Sequence, residues 1–244
     1  MTKQRLDIAL TERKLSASRS QSESWIKMGK VTVNGQVITK PGHFVSKAAE
    51  IKMTAENQYV SRAGLKLESV SDVLGLDFKG KTVLDVGSST GGFTDYALRN
   101  GAEKVYAVDV GTEQLHPSLR RNRRIELHEK TDIRDFYSKN IPDIIVIDVS
   151  FISLREILPH LYNYLSNTET QVVAMVKPQF EAGKDQTNKG IIKNDAIRRQ
   201  ILKDFEDWSR DYFVIKNKRD SDVAGAKGNQ ERFYLLQPLK KIVE

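Results

Sequence analysis

Thr82-Val83-Leu84-Asp85-Val86-Gly87-Ser88-Ser89-Thr90-Gly91-Gly92-Phe93-Thr94-Asp95 is the stretch on which the fold turns. An apolar strand, Thr82–Val86, runs into a glycine-rich turn, and the segment Phe93–Asn100 reads as a helix. Glycine adopts left-handed backbone at little cost and lets a ligand approach the main chain closely. In open α/β sheets, ligands bind outside the carboxyl ends of the strands, where strand order reverses. The turn therefore reads as the cradle of a nucleotide-type cofactor. Its spacing is not G-x-G-x-x-G, and no Gly-Lys-Ser/Thr of a phosphate loop follows, so the wording favours S-adenosylmethionine over a dinucleotide.

Working outward, strands are expected at Lys104–Val108, Ile125–Glu129, Ile144–Ile147 and Gln171–Val176, with helices at Arg62–Leu74, Ser153–Leu165 and Asp195–Ser209. Tyr212–Lys216 and Arg232–Leu236 close the chain as two β-rich runs, expected as an antiparallel pair at the sheet edge. Alternating β and α segments predict a Rossmann-like, doubly wound parallel sheet. Asp109 ends the second strand 24 residues after Asp85, where a carboxylate can bind ribose hydroxyls. Asp132, after the third strand, is a candidate for the adenine amino group. The alternative for Asp85, Asp109 and Asp132 is a set of ordinary strand-end caps.

The first quarter of the chain differs. Residues 1–60 hold 10 Lys and Arg against 5 Asp and Glu, most of the excess in a net charge of +7. A concentrated basic region suits phosphate contacts. Arg5–Arg13 and Arg19–Met28 read as helices, the second capped by Ser16 or Ser18, anchored by Trp25, Ile26 and Met28, and ended by Gly29. Val31-Thr32-Val33-Asn34-Gly35-Gln36-Val37-Ile38 is a hairpin with a type I′ turn at Asn-Gly. Phe44-Val45 and Glu50–Met53 suggest further strands, and Thr54–Ser61 a polar joint. With no cysteines, disulfides and thiolate metal sites are excluded, and four scattered histidines make no ligand spacing, so no metal is expected. No apolar run approaches the roughly 20 residues of a membrane span, and the N-terminus lacks a signal-like stretch, which reads as a cytoplasmic protein without a membrane partner.

Four further residues could meet beyond the cofactor: Lys66 on the helix before the sheet, Asp148 and Lys177 at strand ends, and Glu231 at the start of the last strand. Each taken alone has a solvated surface charge as its plain alternative. The strings around them are long: Arg5-Leu6-Asp7, Gly29-Lys30-Val31-Thr32-Val33-Asn34-Gly35, Tyr59-Val60-Ser61-Arg62, Asp148-Val149-Ser150-Phe151-Ile152-Ser153-Leu154, Lys177-Pro178-Gln179-Phe180-Glu181 and Gly228-Asn229-Gln230-Glu231. In these the chain resembles the TlyA-type, hemolysin A-like family of ribosomal RNA 2′-O-methyltransferases, with a small N-terminal α+β S4 domain and an FtsJ-like catalytic half. The resemblance implies an S4-like RNA-binding domain over 1–58, a joint over 59–63 and a methyltransferase domain over 64–244. It implies Lys66, Asp148, Lys177 and Glu231 as a catalytic tetrad. It further implies S-adenosylmethionine held by Asp85, Gly87, Ser88, Ser89, Thr90, Gly91, Gly92 and Phe93, with Asp109, Val110, Asp132, Ile133 and Asp148. The acceptor it implies is a ribose 2′-hydroxyl of ribosomal RNA, typically on a cytidine, in the ribosomal subunits. The chain departs from the family pattern at Ser88, usually alanine, at Ala63, usually glycine, and at Ser221-Asp222-Val223, which lacks a proline.

Arg5, Arg13, Lys14, Arg19, Lys27 and Lys30 are then expected to read RNA shape and phosphates, with Arg62 at the joint. Arg120, Arg121 and Arg123, in the large domain, are a second expected contact, with a solvated loop as the alternative. Two competing readings are a membrane-acting hemolysin and a non-catalytic RNA-binding protein that keeps the cofactor fold. The missing amphipathic or apolar membrane segment argues against the first, and the intact tetrad against the second.

Overall fold

The computed structural model describes residues 3–16, 19–27, 29–53, 59–183, 191–192, 194–223, 225 and 228–241. The expected cap Ser18, the anchor Met28 and residues 54–58 of the joint lie outside them.

The N-terminal part opens with a strand that pattern reading left unassigned, except for Arg5, which it placed at the start of a helix. β1 (Lys3–Arg5) pairs antiparallel with β4 (Phe44–Ser46), and helix α1 (Leu6–Glu12) begins only after Arg5. Three residues are too short for an alternation to stand out; the partner strand decides their conformation. α2 (Arg19–Lys27) follows. β2 (Val31–Val33), β3 (Gln36–Val37) and β5 (Ile51–Met53) form a second small sheet. Asn34 and Gly35 sit at φ +49° and +81°, the pair of left-handed residues that a type I′ hairpin turn requires.

α3 (Arg62–Leu74) leads into a seven-stranded sheet of order β11-β12-β10-β9-β6-β7-β8. Its strands are β6 (Thr82–Val86), β7 (Lys104–Val108), β8 (Ile125–His128), β9 (Ile144–Ile147), β10 (Gln171–Val176), β11 (Phe213–Asp220) and β12 (Arg232–Pro238). The first five are parallel to one another. β12 runs antiparallel to both β10 and β11, so it lies inside the sheet and β11 takes the edge. Helices α4 (Gly92–Arg99), α5 (Pro117–Arg120), α6 (Leu158–His160), α7 (Pro178–Glu181) and α8 (Asp195–Ser209) complete the domain.

The expected long helix Ser153–Leu165 is broken. A 3-10 turn, Leu154–Glu156, is capped by Ser153; α6 restarts around Pro159, and a π turn covers Leu161–Leu165. Proline has no amide hydrogen to donate to the Arg155 carbonyl, so Pro159 sits in the first turn of a new helix instead of inside one that runs on from Ser153.

Strand alternation sorts the core into two layers. Ile144 and Val146 pack with α3 and α4 on one face, while Ile145 and Ile147 pack with Leu158, Leu161 and Phe205 on the other. The first layer continues through Tyr59 into Leu6, Leu10 and Trp25 of the N-terminal part, and Lys30 reaches Glu68 of α3 at 3.1 Å. Both faces of the parallel strands are covered, which is why β9 reads as an unbroken apolar run.

Candidate active site

The switch point of the sheet lies between β6 and β9, and a cleft opens at their carboxyl ends. It has three lobes of about 450, 380 and 310 Å³, and Asp148 and Ser150 line all three.

The first lobe is walled by the glycine turn. Asp85, Gly87, Ser88, Ser89, Thr90 and Phe93 line it with Ser61, Arg62, Lys66, Asp148 and Lys177. Gly87 has φ +79°, and a Cβ there would stand 2.8 Å from the Asp148 carbonyl oxygen. A Cβ on Gly92 would stand 2.3 Å from Ser61 Oγ. Gly91 and Gly92 thus serve the back of the turn, Gly91 against the side chains of Leu115 and Leu119, each 2.6 Å from where its Cβ would stand, and Gly92 against the joint and the start of α3. Asp85 is buried at the centre. One of its oxygens accepts from the Thr94 amide at 2.9 Å and the Thr94 hydroxyl at 2.6 Å; the other has no hydrogen-bond partner. Burial pushes this carboxyl up to about 7, against the Thr94 hydrogen bonds and with a further push from Asp148. Ser61 Oγ and Ser88 Oγ are also buried without a partner.

Asp109, Val110, Asp132 and Ile133 line the second lobe together with Val149 and Phe151. The acids there also have local duties. Asp109 accepts from the amides of Ser89 and Gly111, each at 2.7 Å, and so fixes the glycine turn. Asp132 caps the 3-10 turn Ile133–Asp135, and its side-chain pairing with Arg134, at 2.7 Å, holds its carboxyl below the usual range. A carboxylate oxygen has two lone pairs, so capacity for a ligand donor remains at both.

The tetrad candidates converge from four elements, as two ion pairs. Lys66 Nζ, on α3, meets Glu231 Oε2 at 2.5 Å; their side chains are 9% and 3% exposed. Lys177 Nζ, after β10, lies 2.6 Å from Asp148 Oδ1, after β9. This second pair is off hydrogen-bond alignment: Asp148 Oδ1 makes none, while Lys177 donates to Ser150 Oγ at 2.8 Å. All four line the third lobe with Phe151, Phe180 and Asn229. Ser150 and Ser61 were not singled out from the sequence, although both lie inside quoted strings; nothing in a string tells which serine faces the cleft.

The expected RNA-contacting residues divide. Arg62 lines the cleft. Lys14, Lys27, Arg121 and Arg123 are exposed. Others carry structural loads: Arg13 donates to the carbonyls of Ala49, Ser46 and Lys47. Arg5 and Arg19 clasp buried Asp7 and, against the cost of burial, hold it down at about 2. Lys30 is tied to Glu68, and Arg120 to Glu129 and the Leu115 carbonyl. Among the described residues, no group of three or more His, Cys, Asp or Glu is placed to hold a metal ion, and no helix is long and apolar enough to cross a membrane.

A parallel sheet with one reversed strand next to its last parallel strand, a glycine turn after its central strand and acids on successive strand ends define a Rossmann-like methyltransferase. Residues 59–237 match the FtsJ-like methyltransferase model and residues 4–51 the S4 domain. The chain belongs to the FtsJ-like methyltransferase family, in its S4-bearing branch. It is 37% identical over 240 residues to the 16S/23S rRNA (cytidine-2′-O)-methyltransferase TlyA of Mycobacterium tuberculosis, covering 96% of this chain and 89% of that protein. It is 43% identical over 179 residues to the 23S rRNA (cytidine-2′-O)-methyltransferase TlyA of Campylobacter jejuni, covering 72% and 70%. A solved Streptococcus thermophilus structure that carries a provisional hemolysin name superposes with a TM-score of 0.72 at 39% identity, covering 98% of this chain and 89% of that one.

Proposed function

We propose that this protein transfers a methyl group from S-adenosylmethionine to a ribose 2′-hydroxyl of ribosomal RNA, on a cytidine. Residues 1–58 would serve as the RNA-binding module, 59–63 as the joint and 64–244 as the catalytic domain. The observation that carries the reading is the pair of buried Lys–carboxylate contacts, Lys66–Glu231 and Lys177–Asp148, opening on one cavity beside the glycine turn.

The residues present fit the cofactor. Asp85, with a buried oxygen that has no partner, suits the ammonium of the methionyl part, and Ser61 and Ser88 offer hydroxyls beside it. Gly87 leaves the room a side chain would fill. Asp109 and Asp132 suit the ribose and base ends, with Val110 and Ile133 as apolar walls. When bound, the group supplies a methyl carbon already activated by positive sulfur.

The chain's own work is on the acceptor oxygen. A ribose hydroxyl does not ionise at neutral pH, so the attack needs charge stabilisation on that oxygen as its proton passes to water in the open cleft. Lys177 Nζ, aimed by Asp148 and Ser150, is suited to that task, and Lys66, held by Glu231, adds a second positive charge to the same low-dielectric wall. Holding oxygen and methyl in line can itself supply about 7–11 kcal/mol.

The test is transfer from radiolabelled S-adenosylmethionine to isolated ribosomal subunits and to deproteinised ribosomal RNA. Label is expected on a cytidine ribose with wild-type protein and absent with Lys177→Ala. No transfer to any of these substrates would sink the proposal.

A further inference from the structure

Two neighbouring connections carry the groups just described. One is the loop Asp148–Ser153 after β9; the other is Lys177–Glu181 after β10, which forms the short helix α7. They meet at the cavity, where Lys177 contacts Asp148 and Ser150, and Phe180 packs on Phe151 with ring centroids 5.2 Å apart. They meet again behind it. Glu181 uses one carboxylate oxygen for each of two donors: Ser153 Oγ at 2.6 Å and the Leu154 amide at 2.8 Å.

Between these two meeting points the first loop is under strain. Phe151 has φ +67° and is 91% exposed. An aromatic residue holds left-handed backbone only where its flanks over-determine it. The upstream flank is held by the Asp148 amide, which donates to the Val86 carbonyl at 3.0 Å. Downstream, Ser153 caps the 3-10 turn by accepting from the Arg155 amide at 3.1 Å, and Glu181 secures that cap from α7.

We propose that Glu181 is a positioning residue: by pinning Ser153 and Leu154 it holds the strained 148–153 loop so that Asp148 and Ser150 meet Lys177. The inference rests on the transfer chemistry proposed above, but its geometry stands by itself. What Glu181 supplies is two hydrogen-bonding atoms at one place. Glutamine can supply the same, its oxygen taking the Leu154 amide and its nitrogen donating to Ser153 Oγ, which has a lone pair to spare.

The experiment compares full-length wild type, Glu181→Ala and Glu181→Gln in methyl transfer to ribosomal subunits, in S-adenosylhomocysteine binding, in thermal unfolding and in amide exchange at Leu154. Glu181→Ala is expected to lower turnover by about ten- to a hundredfold, the scale of an ångström-sized misplacement. Its KM values, S-adenosylhomocysteine affinity and unfolding midpoint should stay near wild type, while Leu154 exchanges faster. Glu181→Gln should recover most of the turnover and the slow exchange. Should the alanine variant fail to fold, Ser153→Ala removes one of the two Glu181 contacts together with the cap on the Arg155 amide; turnover should fall with KM and affinity near wild type, while the Leu154 amide, still bound to Glu181, stays protected, and wild-type turnover in this variant would overturn the inference. Wild-type turnover in Glu181→Ala would overturn the inference, as would a glutamine variant as slow as alanine. A loss matched by equally weakened binding and a lowered unfolding midpoint would reduce Glu181 to a structural residue and also overturn it. If wild-type protein transfers no methyl group, the failure belongs to the proposed function. Leu154 exchange then decides the pin, equal rates in wild type and Glu181→Ala overturning it.

Discussion

Lys177 Nζ stands 2.6 Å from Asp148 Oδ1, and the two residues directly follow the neighbouring parallel strands β10 and β9. Adjacent strand ends in a twisted sheet bring their first loop residues near each other, and the conformation of the 148–153 loop then decides how Asp148 and Ser150 meet Lys177. The other pair, Lys66–Glu231, joins a helix to a strand across 165 residues of sequence and is the more buried of the two.

That difference in burial predicts different costs. Removing one partner of a buried pair strands a charge and costs about 3–5 kcal/mol. Glu231→Ala should approach that figure, because Lys66 is only 9% exposed, whereas Lys177→Ala should cost less, because Asp148 at 16% retains some access to water. Urea unfolding of the two variants checks the ranking, and both should lose methyl transfer.

Asp85 predicts a pH dependence. Its folded value, about 7, lies above the unfolded 3.8, so the folded state binds the proton more tightly. The stability tied to this proton is fully present below about pH 4 and is lost as pH rises towards and through 7. Asp85→Asn should therefore lose less stability than wild type over that window in denaturant titrations at several pH values. S-adenosylhomocysteine, which also carries the methionyl ammonium, should bind wild type more tightly as pH rises through 7 and should bind Asp85→Asn with little such change.

Gly87→Ala places a Cβ 2.8 Å from the Asp148 carbonyl in a left-handed residue. Strain of that kind costs about 1–3 kcal/mol. The expected outcome is a lower unfolding midpoint together with weaker S-adenosylhomocysteine binding by calorimetry, since the turn and the Asp148 loop must separate.

The basic residues should behave as two groups. Arg13→Ala removes hydrogen bonds to three backbone carbonyls and should destabilise the N-terminal part by about 1–3 kcal/mol, visible as faster amide exchange there. Arg123→Ala, at an exposed position, should leave stability alone and lower the salt slope of RNA binding by about 0.7–0.9 if it contacts one phosphate.

Much of this protein was legible before its structure. α3, α8 and the strands β6, β7, β9 and β10 lie where periodicity puts them, because each is long enough, or apolar enough, for its pattern to outvote its neighbours. Asn34-Gly35 announced its turn for the same local reason. The departures fall where local pattern is weak or overruled: β1, of which only Arg5 had been placed in a helix, takes its form from β4, and the Leu154–Leu165 region breaks at Ile157, just ahead of Pro159.

For the candidate site, sequence alone determined the inventory: a glycine turn after an apolar strand, acids on successive strand ends, and two lysines and two further carboxylates in recognisable strings. Those are properties of residue type and local spacing, which a chain carries with it unfolded. Tertiary structure decided the pairing, Lys66 with Glu231 and Lys177 with Asp148. It decided which arginines are tied into the fold and which remain exposed. It placed Ser150 and Glu181 as partners of the groups that matter. Contacts across 165 residues, or between loops of neighbouring strands, depend on strand order and helix packing, and these emerge only when the apolar layers on both faces of the sheet close together.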